Sequence, residues 1–234
     1  MKKDIGIYVP SYNRWDAINT IKCVPNATYV VRQSQQDKYK EAGIKNIWAV
    51  EDNLINSWCN VMNYIKDNAP ETLITIMDDD ILKFSYVSDD KVNITDPEIT
   101  EMELARILTI MHDLEIGFGA LMFDYDPKKY SQEFKFAGTL GAVYFFNRDK
   151  VKGKFHNEAS AVADAEFELQ ELLINRIVLL PKYIVPMALY NKGKNTQNRS
   201  LKVQHESCVW TKLKWGKYFD YNLRTRKTKI KVKR

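Results

Sequence analysis

The sequence predicts an α/β protein whose central strands run parallel and are joined by crossover helices. Two observations carry this. Short β-type runs at residues 5–9, 27–31, 46–50 and 73–77 alternate with segments of helical character, the pattern of parallel strands with helical connections. The last run, Leu73-Ile74-Thr75-Ile76-Met77, is short and mostly apolar, as a strand buried on both faces is, and it runs straight into Asp78-Asp79-Asp80. In an open α/β sheet, ligands bind beyond the carboxyl ends of the strands. The chain therefore places three carboxylates where a ligand is expected.

The other elements follow in order. Residues 53–67 carry Leu54, Trp58, Met62 and Ile65 at helical spacing. Residues 85–97 are polar and read as a loop, after which Thr100-x-x-Glu103 reads as a capping box. It would open a helix whose apolar face holds Leu104, Leu108 and Met111 and reaches Leu114. Strands are expected at 120–123 and 141–146, a helix at 163–175 and a strand at 177–180. Residues 191–200 are polar, basic and almost free of apolar side chains, which predicts a mobile loop.

With 234 residues, 45% hydrophobic and 28% charged, the chain has ample core for one domain with a small appendage. No apolar stretch approaches the ~20 residues of a membrane span, and the first residues lack a signal-peptide pattern, so a cytoplasmic location is expected. Cys23, Cys59 and Cys208 lie far apart without metal-ligand spacing and read as buried thiols. Charge is uneven. Residues 1–190 sum to −7 and residues 191–234 to +12. The expected division is a nucleotide-binding and catalytic unit over 1–190 and a basic loop and extension over 191–234. A basic end on an acidic body suits a polyanionic partner approached from one side, or else a solvated tail.

The acidic triplet allows a specific chemistry. Side chains alternate along extended backbone, so Asp78 and Asp80 point the same way and can share a hard divalent cation, with Asp79 left for another contact. Mg²⁺ or Mn²⁺ takes a few carboxylates and completes its shell with phosphate oxygens and water. The plainer alternative, a solvated acidic turn, does not explain why three repelling charges stand together at the end of a central strand.

The run Ile7-Tyr8-Val9-Pro10-Ser11-Tyr12-Asn13-Arg14, followed by Ile76-Met77-Asp78-Asp79-Asp80-Ile81, resembles the GT-A-fold glycosyltransferases. The resemblance continues through Gly141-Ala142-Val143-Tyr144-Phe145-Phe146-Asn147-Arg148 and Ala163-Asp164-Ala165-Glu166-Phe167-Glu168-Leu169. It implies a Rossmann-type mixed sheet flanked by helices, a nucleotide-sugar donor, most simply a UDP-sugar, and a divalent metal, Mn²⁺ or Mg²⁺. Small size, the basic end and the piece Trp210-Thr-Lys-Leu-Lys-Trp215-Gly216 most resemble bacteriophage enzymes of the TET-associated type, which glycosylate hydroxymethylpyrimidines in DNA. Double-stranded DNA carrying 5-hydroxymethylcytosine is the acceptor this implies, and host cytoplasm the location. One departure stands out: where many relatives carry an Arg-Asn pair before the acidic motif, this chain has Cys59-Asn60. Asn60 keeps its part, and Arg14 or Arg32 must supply the phosphate contact.

The resemblance assigns roles to residues. Asp78 and Asp80 hold the metal, with late-chain His205 as a further ligand, although a lone histidine in a polar segment is more often exposed. Pro10, Ser11, Tyr12 and Arg14 cradle the nucleotide, or simply form a turn. Arg32 contacts base or phosphate, and Asp79 accepts a hydrogen bond from ribose or sugar. Asp164 is the base for an inverting transfer, with Glu166 in reserve, though carboxylates at a helix start also cap it. Lys192, Lys194 and Arg199 close over the diphosphate or touch the acceptor, joined by Arg224, Arg226 and Lys227. A nucleotidyltransferase would carry a Gly-rich first loop, which is missing here. A phosphohydrolase would place its Asp-x-Asp near the first strand. A nucleic-acid-binding module leaves Asp78–Asp80 unexplained.

Overall fold

The computed structural model describes residues 4–122, 132–138, 140–188 and 200–232. In chain order the first elements are β1 (Ile5–Pro10), β2 (Thr28–Arg32), α1 (Gln36–Glu41), β3 (Ile47–Val50), α2 (Trp58–Asn68) and β4 (Leu73–Met77). Next come β5 (Ile81–Val87), β6 (Lys91–Ile94), α3 (Pro97–Asp113), β7 (Phe118–Ala120), β8 (Phe134–Lys135) and β9 (Val143–Asn147). The chain closes with α4 (Ala163–Ile174), β10 (Leu180–Pro181), β11 (Ile184–Ala188), α5 (Leu201–Trp215), β12 (Phe219–Asn222) and β13 (Lys227–Ile230).

The central sheet has the order β3-β2-β1-β4-β9-β7. β3, β2, β1 and β4 pair in parallel, while β9 runs antiparallel to both β4 and β7, so the sheet is mixed. β4 is buried at every position because both faces are covered. Leu73 and Met77 face one core with Leu104, Leu108 and Met111 of α3. Ile74 and Ile76 face the other, with Met62 and Ile65 of α2 and Phe167 of α4. This is the period of two expected of a strand. A smaller antiparallel sheet, β11-β5-β6, continues from the acidic triplet. Among the described residues no helix is long and apolar enough to cross a membrane.

Several boundaries differ from expectation. α2 begins at Trp58, because Ser57 caps it by accepting the Asn60 N–H at 3.1 Å, and Leu54 lies outside the helix and exposed. The expected loop at 85–97 contains the end of β5 and all of β6, a mostly exposed strand held by pairing such as Ser85↔Asn93. Thr100 is not a cap: Asp96 is, with Pro97 in the first turn. Glu103 instead accepts the hydroxyls of Tyr86 and Tyr183 at 2.9 and 3.2 Å. Leu114 is exposed just past the helix end. The expected strand at 177–180 reduces to a bridge from Leu179 to Gly119 before β10. A Cβ at Gly119 would sit 2.7 Å from the Leu179 carbonyl oxygen, so only glycine admits that approach. The strand expected at 120–123 lies at Phe118–Ala120 instead, with Phe123 outside the described residues.

Residues 201–232 share a core with the first unit: Cys208 and Phe219 pack with Ala159, Val162 and Leu169, and Ile230 and Val232 close over them. All three cysteines are buried thiols.

Candidate active site

β1 is flanked by β2 on one side and by β4 on the other, so the strand order reverses between β1 and β4. Such a switch point opens a crevice at the carboxyl ends of the strands. The register Tyr8↔Ile76 brings the loop of residues 11–14 beside Asp78–Asp80. The triplet's backbone is fixed from both sides. Asp78 N–H donates to the Ala142 carbonyl at 3.0 Å, and the buried Thr20 hydroxyl donates to the Asp78 carbonyl at 2.7 Å while accepting the Ile81 N–H at 3.0 Å.

The side chains alternate as expected, with Asp79 buried and Asp78 and Asp80 half-buried. Asp79 turns inward. Its Oδ2 accepts the Ser11 hydroxyl at 2.5 Å, its Oδ1 pairs with Arg14 Nη1 at 3.1 Å, and Ser11 Oγ lies 2.7 Å from the Tyr39 hydroxyl. Burial pushes the Asp79 carboxyl up to about 6, against the pull of Ser11 and Arg14. Asp79, expected to meet ribose or sugar, is turned to Ser11 and Arg14 here and ties the first loop to the acidic motif.

Asp164 lies in the first turn of α4, where its Oδ1 accepts the Ala165 N–H at 2.8 Å, and burial raises its carboxyl. The cap position belongs to Val162, which offers no side-chain cap. Tyr144 on β9 ties Asp164 to the acidic motif. Its buried hydroxyl is pushed well above the usual range, first by burial and then by the charges of Asp164 and Asp78. The charges of both carboxylates thus reach one tyrosine, a residue whose sequence context reads only as part of an aromatic strand.

Glu166 has a different fate. It is fully buried, and among the described residues four donors meet its carboxylate. Oε1 accepts Trp215 Nε1 at 2.9 Å and Lys214 Nζ at 3.2 Å; Oε2 accepts Gln170 Nε2 at 2.6 Å and lies 3.1 Å from His156 Nδ1. A carboxylate saturated this way presents no lone pair to a substrate, which removes Glu166 as reserve base. It joins α4 to α5 instead. His156, absent from the sequence-based candidates, links the same cluster through Nε2, 3.3 Å from Lys214 Nζ. A histidine following the core residue Phe155 carries no local signal of that role.

At the outer edge, Pro10 ends β1 and the Arg32 guanidinium lies 4.1 Å over the ring of Tyr12. Arg32 Nε is buried and has no hydrogen-bond partner among the described residues. Asn60 is engaged by Asn56 and Asn157 beside the α2 cap, at 2.6 and 2.9 Å. His205 is exposed on α5 and forms no ligand group with Asp78 and Asp80; among the described residues no three of His, Cys, Asp and Glu converge on a cation position. His205 as a third ligand is thus corrected. Two carboxylates suit an ion that takes one or two from protein and the rest from phosphate and water. Arg224, Arg226 and Lys227 are exposed at the β12–β13 turn, while Lys192, Lys194 and Arg199 lie outside the described residues.

No family model matches the sequence, and no curated protein matches it significantly. Solved structures do match the fold. A mannosyltransferase from Pyrobaculum calidifontis, in complex with GDP-Man and Mn²⁺, aligns with TM-score 0.60 and 13% identity, covering 93% of this chain and 66% of its own. Glucosyl-3-phosphoglycerate synthase from Mycobacterium tuberculosis, with Mn²⁺, UDP-glucose and phosphoglyceric acid, aligns with TM-score 0.57 and 10% identity, covering 98% and 87%. The chain has the fold of the GT-A glycosyltransferases.

Proposed function

We propose that this protein transfers a sugar from a nucleoside-diphosphate sugar, a UDP-sugar in the simplest case, to an acceptor hydroxyl with the help of Mn²⁺ or Mg²⁺. One observation carries the reading: Asp78 and Asp80 stand partly buried at the switch point, while the third carboxylate is turned inward to Ser11 and Arg14. Asp78 and Asp80 would hold the cation, which would supply Lewis-acid stabilisation of the departing diphosphate. Ser11, Tyr12 and Arg14 line the nucleotide side, with the Arg32 guanidinium stacked over Tyr12 beside them. Asp164, whose carboxyl is raised by burial, takes the proton of the acceptor hydroxyl in an inverting transfer. Asp164→Asn is expected to slow the chemical step by about 10²- to 10⁴-fold, with donor affinity by calorimetry near wild type. Full turnover in this variant removes Asp164 as base.

The acceptor we propose is nucleic acid, most specifically duplex DNA bearing 5-hydroxymethylpyrimidines. Support comes from the +12 balance of residues 191–234 and from where the described cations stand. Lys212, Lys214 and Lys231 are paired with Asp220 or Glu166. Arg224, Arg226, Lys227 and Lys229 are exposed along the hairpin. Deleting residues 224–234 would strip Ile230 and Val232 from the core, so substitution is the cleaner test. Converting these four cations to Gln should lower the slope of log affinity for duplex DNA against log salt by about 3 to 4, near 0.9 for each phosphate no longer neutralised. An unchanged slope, or sugar transfer to a small glycan with no DNA binding at low salt, rejects the DNA acceptor and leaves the glycosyl transfer standing.

A further inference from the structure

We propose that Arg14 makes cation binding conditional on the donor diphosphate, holding Asp80 until phosphate draws the guanidinium away. The inference rests on the glycosyl-transfer reading above. The guanidinium spans the motif, with Nη1 3.1 Å from Asp79 Oδ1 and Nη2 3.6 Å from Asp80 Oδ2. The two contacts are unequal. Asp79 is buried and also held by Ser11, so that contact is the anchor. The Asp80 contact is longer and reaches a carboxylate that is 15% exposed, against 6% for Asp79, so it is the exchangeable one.

The loop that carries Arg14 is held in place. Its backbone N–H donates to the Tyr39 hydroxyl at 3.3 Å. The preceding Asn13 sits in the left-handed region at φ 56, and its backbone N–H and side chain are gripped by Gln35 at 3.0 and 2.6 Å. Only the tip of the side chain has to move. A cation reaching Asp78 and Asp80 alone meets a resident positive charge that already satisfies part of the site, and like charges at such separations repel strongly where water is partly excluded. A diphosphate changes the balance, because its oxygens match the planar fork of a guanidinium better than one carboxylate oxygen at 3.6 Å does. Arg14 then turns to phosphate and Asp80 is released. Cation and nucleotide consequently favour each other's binding, and by linkage the factor is the same in both directions.

Calorimetry on the full chain tests this with Mn²⁺ alone, with UDP or GDP alone, and with Mn²⁺ at saturating nucleotide. For wild type, nucleotide should tighten Mn²⁺ binding on the order of tenfold or more. R14Q should bind Mn²⁺ alone on the order of tenfold tighter than wild type, and nucleotide should then add little. R14K keeps the charge but not the fork, so its affinity for Mn²⁺ alone should match wild type while the coupling shrinks. R14K also decides the matter if R14Q fails to fold, as judged by circular dichroism. The proposal is overturned if R14Q binds lone Mn²⁺ no tighter than wild type, or if coupling in R14K is undiminished. A wild-type protein that binds neither nucleotide under any of these conditions overturns the glycosyl-transfer reading itself.

Discussion

Asp80→Asn is expected to reduce turnover by about 10²- to 10³-fold while leaving the protein folded. Asp80 is half-buried at the crevice, not in either core, so the substitution opens no cavity and breaks no packing. It removes a negative charge from the position proposed to hold the cation, and charge placed where it develops in the transition state contributes most to rate. The loss should therefore appear in kcat as well as in metal affinity. Excess chelator should abolish wild-type transfer, and added Mn²⁺ should restore it. Full activity in chelator, or wild-type kcat in Asp80→Asn, would falsify the metal role. The measurement is initial-rate transfer or donor hydrolysis over a Mn²⁺ series, with circular dichroism as the folding control.

The second large effect concerns stability. Glu166→Gln should destabilise the protein by about 3 kcal/mol, because one partner of a buried, hydrogen-bonded charge pair is removed. Glu166 is fully buried, whereas Lys214 is about a third exposed at 32%, so the ammonium recovers some hydration and the cost stays at the lower end of the range. An amide presents one acceptor oxygen where the carboxylate presents two, so it cannot satisfy Trp215, Lys214, His156 and Gln170 together. At about 2–4 °C per kcal/mol for a chain of this size, the melting temperature should fall by roughly 6–12 °C. Activity per folded molecule should change far less than in Asp164→Asn, which separates the two carboxylates by role. If Glu166→Gln melts like wild type yet is inactive, the saturated-cluster reading is wrong and the residue returns as a candidate base. Because the cluster bridges α4 and α5, loosening it should also raise proteolytic sensitivity in the C-terminal helix and hairpin.

Among the expected strands, the central one held its ends. β4 matches its expected span, residue for residue, because a strand covered on both faces needs a run of core-compatible side chains that ends where the crevice begins. The split of Asp78 and Asp80 from Asp79 was legible too, as a consequence of two-residue alternation. Other failures came where pairing or capping partners, not burial, hold the backbone. The β5–β6 hairpin looks like a loop because its second strand, Lys91–Ile94, is mostly exposed and is held by its ladder, not by burial. The capping box at Thr100 is a good local pattern overridden by Asp96-Pro97, with Glu103 taken by two tyrosines.

By itself the sequence determined the α/β alternation, the central buried strand, the carboxylates at its end and the opposed charges of body and terminus. Each is local: a run, a spacing or a count. Only the tertiary structure decided what those carboxylates do. Asp79 and Glu166 look as catalytic in sequence as Asp80 and Asp164. One is turned inward to Ser11 and Arg14, and the other is sealed among His156, Gln170, Lys214 and Trp215. Tyr144, Thr20 and Tyr39 join the site only because the β1–β4–β9 register and the crossover connections bring them there. The physical reason is that a carboxylate's role depends on its solvation and on the donors within about 3 Å. Those donors come from segments up to 68 residues away, as Ser11 is from Asp79, a separation that no local pattern records.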